Sequence, residues 1–384
     1  MTAFSFRSRR SRLLQKCIAG WMACAVLAGC WDSREIEDLS IILGVAIDMD
    51  QDMLELTYQH LIAQKNQENA YANITTLYGD SIQYASREQA KQVAHAPLYN
   101  FIRLVLISDQ ALRKWRIDQL LDTYTRSYKP SRNSVVMVVK GSAKEALAKM
   151  GKHKDIPSMD LRDLAKNSVL NEKIPQRITL GDISIRISQG ADFLIQRLDT
   201  GEGGNRLTGA ALISGQTKKF AGWIDEEDIS GINWMLGNTE GTVVKTEDPR
   251  TNQTMVFEVD RVKRKLLPHA DGQDISFTVL IKTALNLNEN RVVSADLLKE
   301  PFLQTAREAA QEEIKESVLR SLSKLQKEKA DVAGFRTKIK TDCPEAWDRV
   351  KNNWPETFSQ IPIDVLVDAE VRQTGAYSKG AGAP

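Results

Sequence analysis

Cys30 is the residue whose type and position most directly specify chemistry. It follows Leu27, Ala28 and Gly29, a small-residue approach that suits a lipoprotein signal peptidase acting on a thiol already thioether-linked to diacylglycerol. The tetrapeptide is short, so its place in the chain carries the reading. Arg7, Arg9, Arg10, Arg12 and Lys16 precede an apolar run from Cys17 to Ala28, and no acidic residue stands before Cys30. A run of that length falls short of the ~20 residues a spanning helix needs. Residues 1–29 are therefore expected to be a signal peptide cut between Gly29 and Cys30, leaving Cys30 as the lipid-bearing first residue of the mature chain. The ordinary alternatives are a secreted protein cut elsewhere and a short N-terminal anchor left in place. At about 0.8 kcal/mol per buried methylene, one acyl chain anchors reversibly, whereas the two or three of a bacterial lipoprotein hold essentially permanently.

The remaining reactive residue types do not assemble into a known constellation. His60, His95, His153 and His269 stand singly, with no second ligand type at a metal-binding offset. No glycine-rich phosphate loop follows a strand pattern, and no Gly-x-Ser-x-Gly elbow is present. No catalytic, cofactor-binding or metal residue is assigned, and no cofactor is expected. Cys17 and Cys24 leave with the signal and Cys30 is acylated, so Cys343 has no intramolecular disulfide partner. Lying directly before Pro344, Cys343 reads as a small buried hydrophobe at a helix start. Asp225, Glu226, Glu227 and Asp228 could pair carboxylates for acid/base work or calcium, but a helix N-terminus, where its dipole favours negative charge, is the plainer cause. Trp223 and Trp234 flank that cluster and are candidate interface residues, with core packing the more ordinary use.

Loss of residues 1–29 removes five basic side chains and no acidic one, taking the formal charge from +2 to −3. A mature chain with no basic tract gives no reason to expect a nucleic-acid partner or an anionic lipid ligand.

The elements that must position these residues read as mixed α/β (α+β). Residues 30–38 form a polar tether. Alternation at Leu54, Leu56 and Tyr58, after an apolar stretch 39–48, predicts a β-hairpin. Helices are expected over 81–94, 117–128 and 143–149 and strands over 103–108 and 134–140, composing an N-terminal α/β domain over 39–200 with a possible sub-boundary near 150–175. Gly201–Asn205 is expected to be a linker into a middle domain or subdomain, 201–250. That segment holds a hairpin (207–214 and 219–224) and a helix capped by Asp225 and running to Leu236. Strands at 241–246, 254–264 and 275–283 lead into the C-terminal α/β domain, 251–374. Its longest helix opens at Pro301, with Leu303, Ala306, Ala310, Ile314, Val318, Leu322 and Leu325 on one stripe that should pack across the domain's own sheet. A second helix from Pro344 is expected to stop before Pro355, a last strand to cover 361–371, and 375–384 to form a flexible tail.

These residues also carry a resemblance. Gly29, Cys30, Trp31, Asp32, Ser33, Arg34, Glu35, Ile36 and Leu39, then Gly44 and Asp48, resemble the opening of the Ger(x)C family, the C-subunit lipoproteins of bacterial spore germinant receptors. Gly209, Ala210, Ala211, Gly222, Trp223, Glu226, Glu227, Gly231 and Trp234 are similar to its middle block. Asp331, Gly334, Pro344, Trp347, Trp354, Phe358 and Gly375 are similar to its end. The chain departs from the family pattern at Arg336, often a glycine, and at Cys343, commonly an aromatic residue. The resemblance implies a non-enzymatic, three-domain α/β lipoprotein on the outer face of the spore inner membrane. It also implies assembly with integral membrane A and B subunits into a receptor for small nutrients. An importer's substrate-binding lipoprotein and an extracytoplasmic enzyme are the alternative functions; the former would need two similar lobes around a cleft, which the unlike halves of this chain do not suggest.

Overall fold

The computed structural model describes residues 39–62, 71–91, 96–126, 131–149, 156–272, 274–292 and 300–373. In chain order the first elements are β1 (Leu39–Asp50), β2 (Met53–Ile62), β3 (Tyr71–Gly79), α1 (Ile82–Glu88), β4 (Ala96–Leu98), β5 (Leu104–Ser108), α2 (Asp109–Lys114) and α3 (Ile117–Arg126). Then come β6 (Val135–Lys140), α4 (Ala143–Ala148), α5 (Pro157–Leu164), β7 (Ile178–Thr179), α6 (Leu180–Gln189), β8 (Phe193–Gly201), β9 (Gly204–Ile213), β10 (Phe220–Ile224) and α7 (Glu226–Leu236). The chain continues with β11 (Val243–Glu247), β12 (Thr254–Asp271), β13 (Asp274–Asn290), α8 (Glu300–Lys327), α9 (Phe335–Asp342), α10 (Pro344–Val350), α11 (Trp354–Gln360) and β14 (Ile363–Gln373). The signal segment, the 30–38 tether and the 375–384 tail lie outside the described residues.

Two mixed sheets organise the molecule. The larger runs β10-β9-β8-β6-β5-β1-β2-β3, with β4 beside β1 and β7 beside β6. Its centre, β8-β6-β5-β1, is parallel, while antiparallel hairpins form both flanks. A parallel strand is covered on both faces, so it reads as continuous apolar sequence. Leu104–Ser108 and Val135–Val139 are accordingly buried at every position. Helices α1–α3 and α6 close one face, and α4 and α5 close the other.

The second sheet runs β11-β12-β13-β14. β13 and β14 are parallel, and the chain between them includes α8. Ala306, Ala310, Ile314, Val318, Leu322 and Leu325 of α8 are buried, so the stripe read from sequence packs within its own domain. α8 extends about 42 Å at 1.5 Å per residue.

Three local readings are corrected. Gly201–Asn205 is not an open linker: Gly201 pairs with Gly204 across the tip of the β8–β9 hairpin. Gly204 takes φ 105 there, a conformation glycine adopts without steric cost, so the composition of a linker is equally that of a tight turn. β9 and β10 therefore extend the larger sheet. Pro355 does not follow a helix end but sits in the first turn of α11, where its missing N–H has no intrahelical partner to lose. The β12–β13 hairpin, joined near Asp271 and Gly272 as expected, reaches well past the predicted strand limits, to 271 and 290.

Candidate functional site

Gly29 and Cys30 lie outside the described residues, so the site nearest the expected anchor begins where Leu39 enters β1. There the hydroxyl of Ser40 lies 2.5 Å from His60 Nδ1, and Gln89 Nε2 lies 3.0 Å from His60 Nε2. Tyr99 donates its hydroxyl to Gln89 Oε1 at 2.8 Å. Burial disfavours the charged imidazole and lowers its pKa to about 4. This network ties the first residues of β1 to β2, α1 and the turn after β4.

At the other end of β1, Asp48 accepts the backbone N–H groups of Ala143 and Lys144 at 2.8 and 2.7 Å. Its carboxylate caps α4 from another strand. Desolvation raises its pKa to about 6 despite those two donors.

The structure separates the two candidate tryptophans. Trp234 is 1% exposed within the C-terminal core. Of the two uses weighed for it, the structure shows core packing, because α7 turns it inward between the two sheets. Trp223 is half-buried on β10, at the edge of the larger sheet. Its ring meets Phe220 edge-on at 5.0 Å and lies under Arg197, while Arg113 covers Phe220 at 4.9 Å. Such a partly exposed stack of aromatic and arginine side chains has the composition of an interface centre.

The acidic run opens α7, with Glu226, Glu227 and Asp228 in the first turn. Asp225 holds the N-cap position through its backbone, whose C=O accepts from Asp228 and Ile229 N–H at 3.0 and 3.1 Å. Its carboxylate instead lies 3.5 Å from Arg197 Nη1. α7 packs closely on α8 at Gly231, where a Cβ would meet Ser317 O at 2.2 Å.

Sequence reasoning missed the joint between the two sheet systems. Asp331, buried after α8, accepts N–H from Gly334 and Phe335 at 2.8 and 3.0 Å, from Arg336 at 2.5 Å and from the Trp354 indole at 3.2 Å. Asp192, ahead of β8, accepts from Gly215 N–H at 2.8 Å and from Asp331 N–H at 2.9 Å. Burial raises both carboxyl pKa values against these donors. Arg336 crosses the same joint, donating Nη1 to Gly190 O at 2.6 Å and lying over Trp347. Beside it opens a cleft of 630 Å³. The other departure from the family pattern, Cys343, is a free thiol half-buried against the C-terminal core. Only spatial convergence joins positions 192 and 331, 139 residues apart, so no local motif announces them.

Among the described residues, no three His, Cys, Asp or Glu side chains gather as a metal site, and no helix is long and apolar enough to cross a membrane. Residues 32–200 match the family model for the spore germination protein N-terminal domain. Residues 208–375 match the spore germination B3/GerAC-like C-terminal model. The chain belongs to this spore germination protein family, Ger(x)C. The two family models meet at the β8–β9 hairpin. Among Ger(x)C relatives in Bacillus subtilis (strain 168), spore germination protein YndF is 30% identical, over 96% of this chain and 98% of its own. Spore germination protein B3 is 26% identical, over 92% and 96%. The crystal structure of the GerBC protein covers 89% of this chain and 100% of its own with a TM-score of 0.59. At 23% identity that likeness is one of fold, and it agrees with the mixed α/β, multidomain build.

Proposed function

We propose that this chain is the lipid-anchored, non-catalytic subunit of a nutrient germinant receptor, held through Cys30 at the outer face of the spore inner membrane and assembled with integral membrane A and B subunits. The observation that carries this reading is the near-continuous match of residues 32–200 and 208–375 to spore germination models. The Leu27-Ala28-Gly29-Cys30 sequence supports the anchor, and the eight residues between Cys30 and Leu39 reach about 30 Å when extended. A leash of that length keeps the folded body beside the bilayer and makes its contact with a membrane protein effectively intramolecular. Trp223, with Phe220, Arg113 and Arg197, is the proposed contact surface. The unlike sheets, one built around four parallel strands and one of four strands in all, do not form the paired lobes of an importer's binding protein.

Spores lacking this chain should lose their response to one class of nutrient while responding normally to a non-nutrient trigger, and affinity-tagged chain should retain the A and B subunits after mild detergent extraction. An unchanged nutrient response, with no membrane subunit retained, would contradict the proposal.

A further inference from the structure

The cleft at the joint holds cations that its own carboxylates do not neutralise. It lies between the end of α6, the β9–β10 turn and the segment from Glu328 into α9. Its acidic groups already have donors: Asp331 and Asp192 face main-chain N–H groups as described, and Glu328 pairs with Lys324 at 3.0 Å. Of its basic groups, Lys329 pairs with Glu356 at 3.1 Å. Arg186 and Lys340 line the cleft and form no ion pair among the described residues. Arg336 uses one nitrogen on Gly190 O and is influenced by Asp192 only through space. Ser188, Ser214 and Thr337 add hydroxyls to the same lining.

We propose that this cleft binds a small organic anion, whose carboxylate or phosphate group is held by Arg186, Arg336 and Lys340. Guanidinium groups meet either anion through paired, charge-assisted hydrogen bonds, and 630 Å³ falls in the size range of small-molecule sites. The local cation excess is a property of the site, because the mature chain as a whole is acidic. Arg186 comes from α6 and the other two from α9, so a bound anion bridges the two sheet systems and stiffens the joint made by Asp192 and Asp331. The site does not depend on the anchoring proposed above.

The test is calorimetric titration of the full mature chain in detergent with succinate and, separately, inorganic phosphate. Saturable binding of at least one is expected, and saturation by one alone identifies the group recognised. Lys340→Gln, at an exposed and unpaired side chain, should weaken it at least about tenfold without moving the unfolding midpoint, and adding Arg336→Gln should abolish it. Lys263→Gln, on the open face of the second sheet, should change nothing. Absence of saturation by both anions, undiminished binding by Lys340→Gln, or equal loss in Lys263→Gln would overturn the proposal.

Discussion

His60 and Asp48 titrate in opposite senses over one stretch of pH. His60 has a folded pKa of about 4 against 6.5, so the unfolded chain takes the proton more readily, and its stabilising contribution is lost as pH falls from 6.5 towards 4. Asp48 has a folded pKa of about 6 against 3.8, so the folded chain holds the proton, and its contribution is lost as pH rises through 6. Each difference corresponds to about 3 kcal/mol, and across pH 4–6.5 the two largely offset. Urea midpoints at pH 4.5 and 6.5 should therefore show Asp48→Asn gaining stability with rising pH relative to the parent, and His60→Gln losing it. A shift of the same sign in both variants would contradict this pairing. Asp331 is a different kind of residue, since it satisfies three backbone donors and an indole in the interior. Asp331→Ala should cost about 3 kcal/mol in urea unfolding, because those donors remain buried without an acceptor.

At the scale of elements, the α7–α8 contact is set by Gly231. Its neighbours Ser230 and Ser317 lie within 3.3 Å through their hydroxyls, and Ser321 donates to Asp228 O at 2.7 Å. Gly231→Ala would drive a methyl into the backbone of α8 and should destabilise by about 2–3 kcal/mol, read as a lowered thermal midpoint with secondary structure retained. Elements whose own periodicity reports their burial were legible beforehand: the β1–β2 hairpin, the apolar runs of β5 and β6, and the single stripe of α8. Elements without such a pattern were not. β3, with Asn73, Thr75 and Thr76, lacks an apolar run and is held by register against β2. α6 begins at a Thr179–Asp182 capping box, a local signal independent of apolar periodicity. α9 begins after Gly334, whose N–H is fixed by Asp331. Asp331 stands among the residues that carry the family resemblance, but its pairing was not legible, because the bond from its N–H to Asp192 joins positions 139 residues apart.

Across the whole molecule, the two sheet systems are fused by shared core. Ala210 and Leu212 of β9 turn towards the C-terminal core while Ala211 and Ile213 turn towards the N-terminal one. Trp234 belongs to the same C-terminal core, so Trp234→Ala should cost about 3–5 kcal/mol. Trp223→Ala, which removes only half-exposed stacking, should cost about 1 kcal/mol or less and act on assembly rather than folding. The cleft at the joint is where a ligand would bear on both systems at once. The proposed receptor role, with Trp223 as its contact surface, requires that the chain be held at a membrane. Metabolic labelling of sporulating cells with a fatty-acid probe, comparing the parent chain with Cys30→Ala, tests that most directly. Anchoring through Cys30 predicts a labelled parent chain in the membrane fraction and an unlabelled, uncleaved variant; equal labelling of both would contradict it.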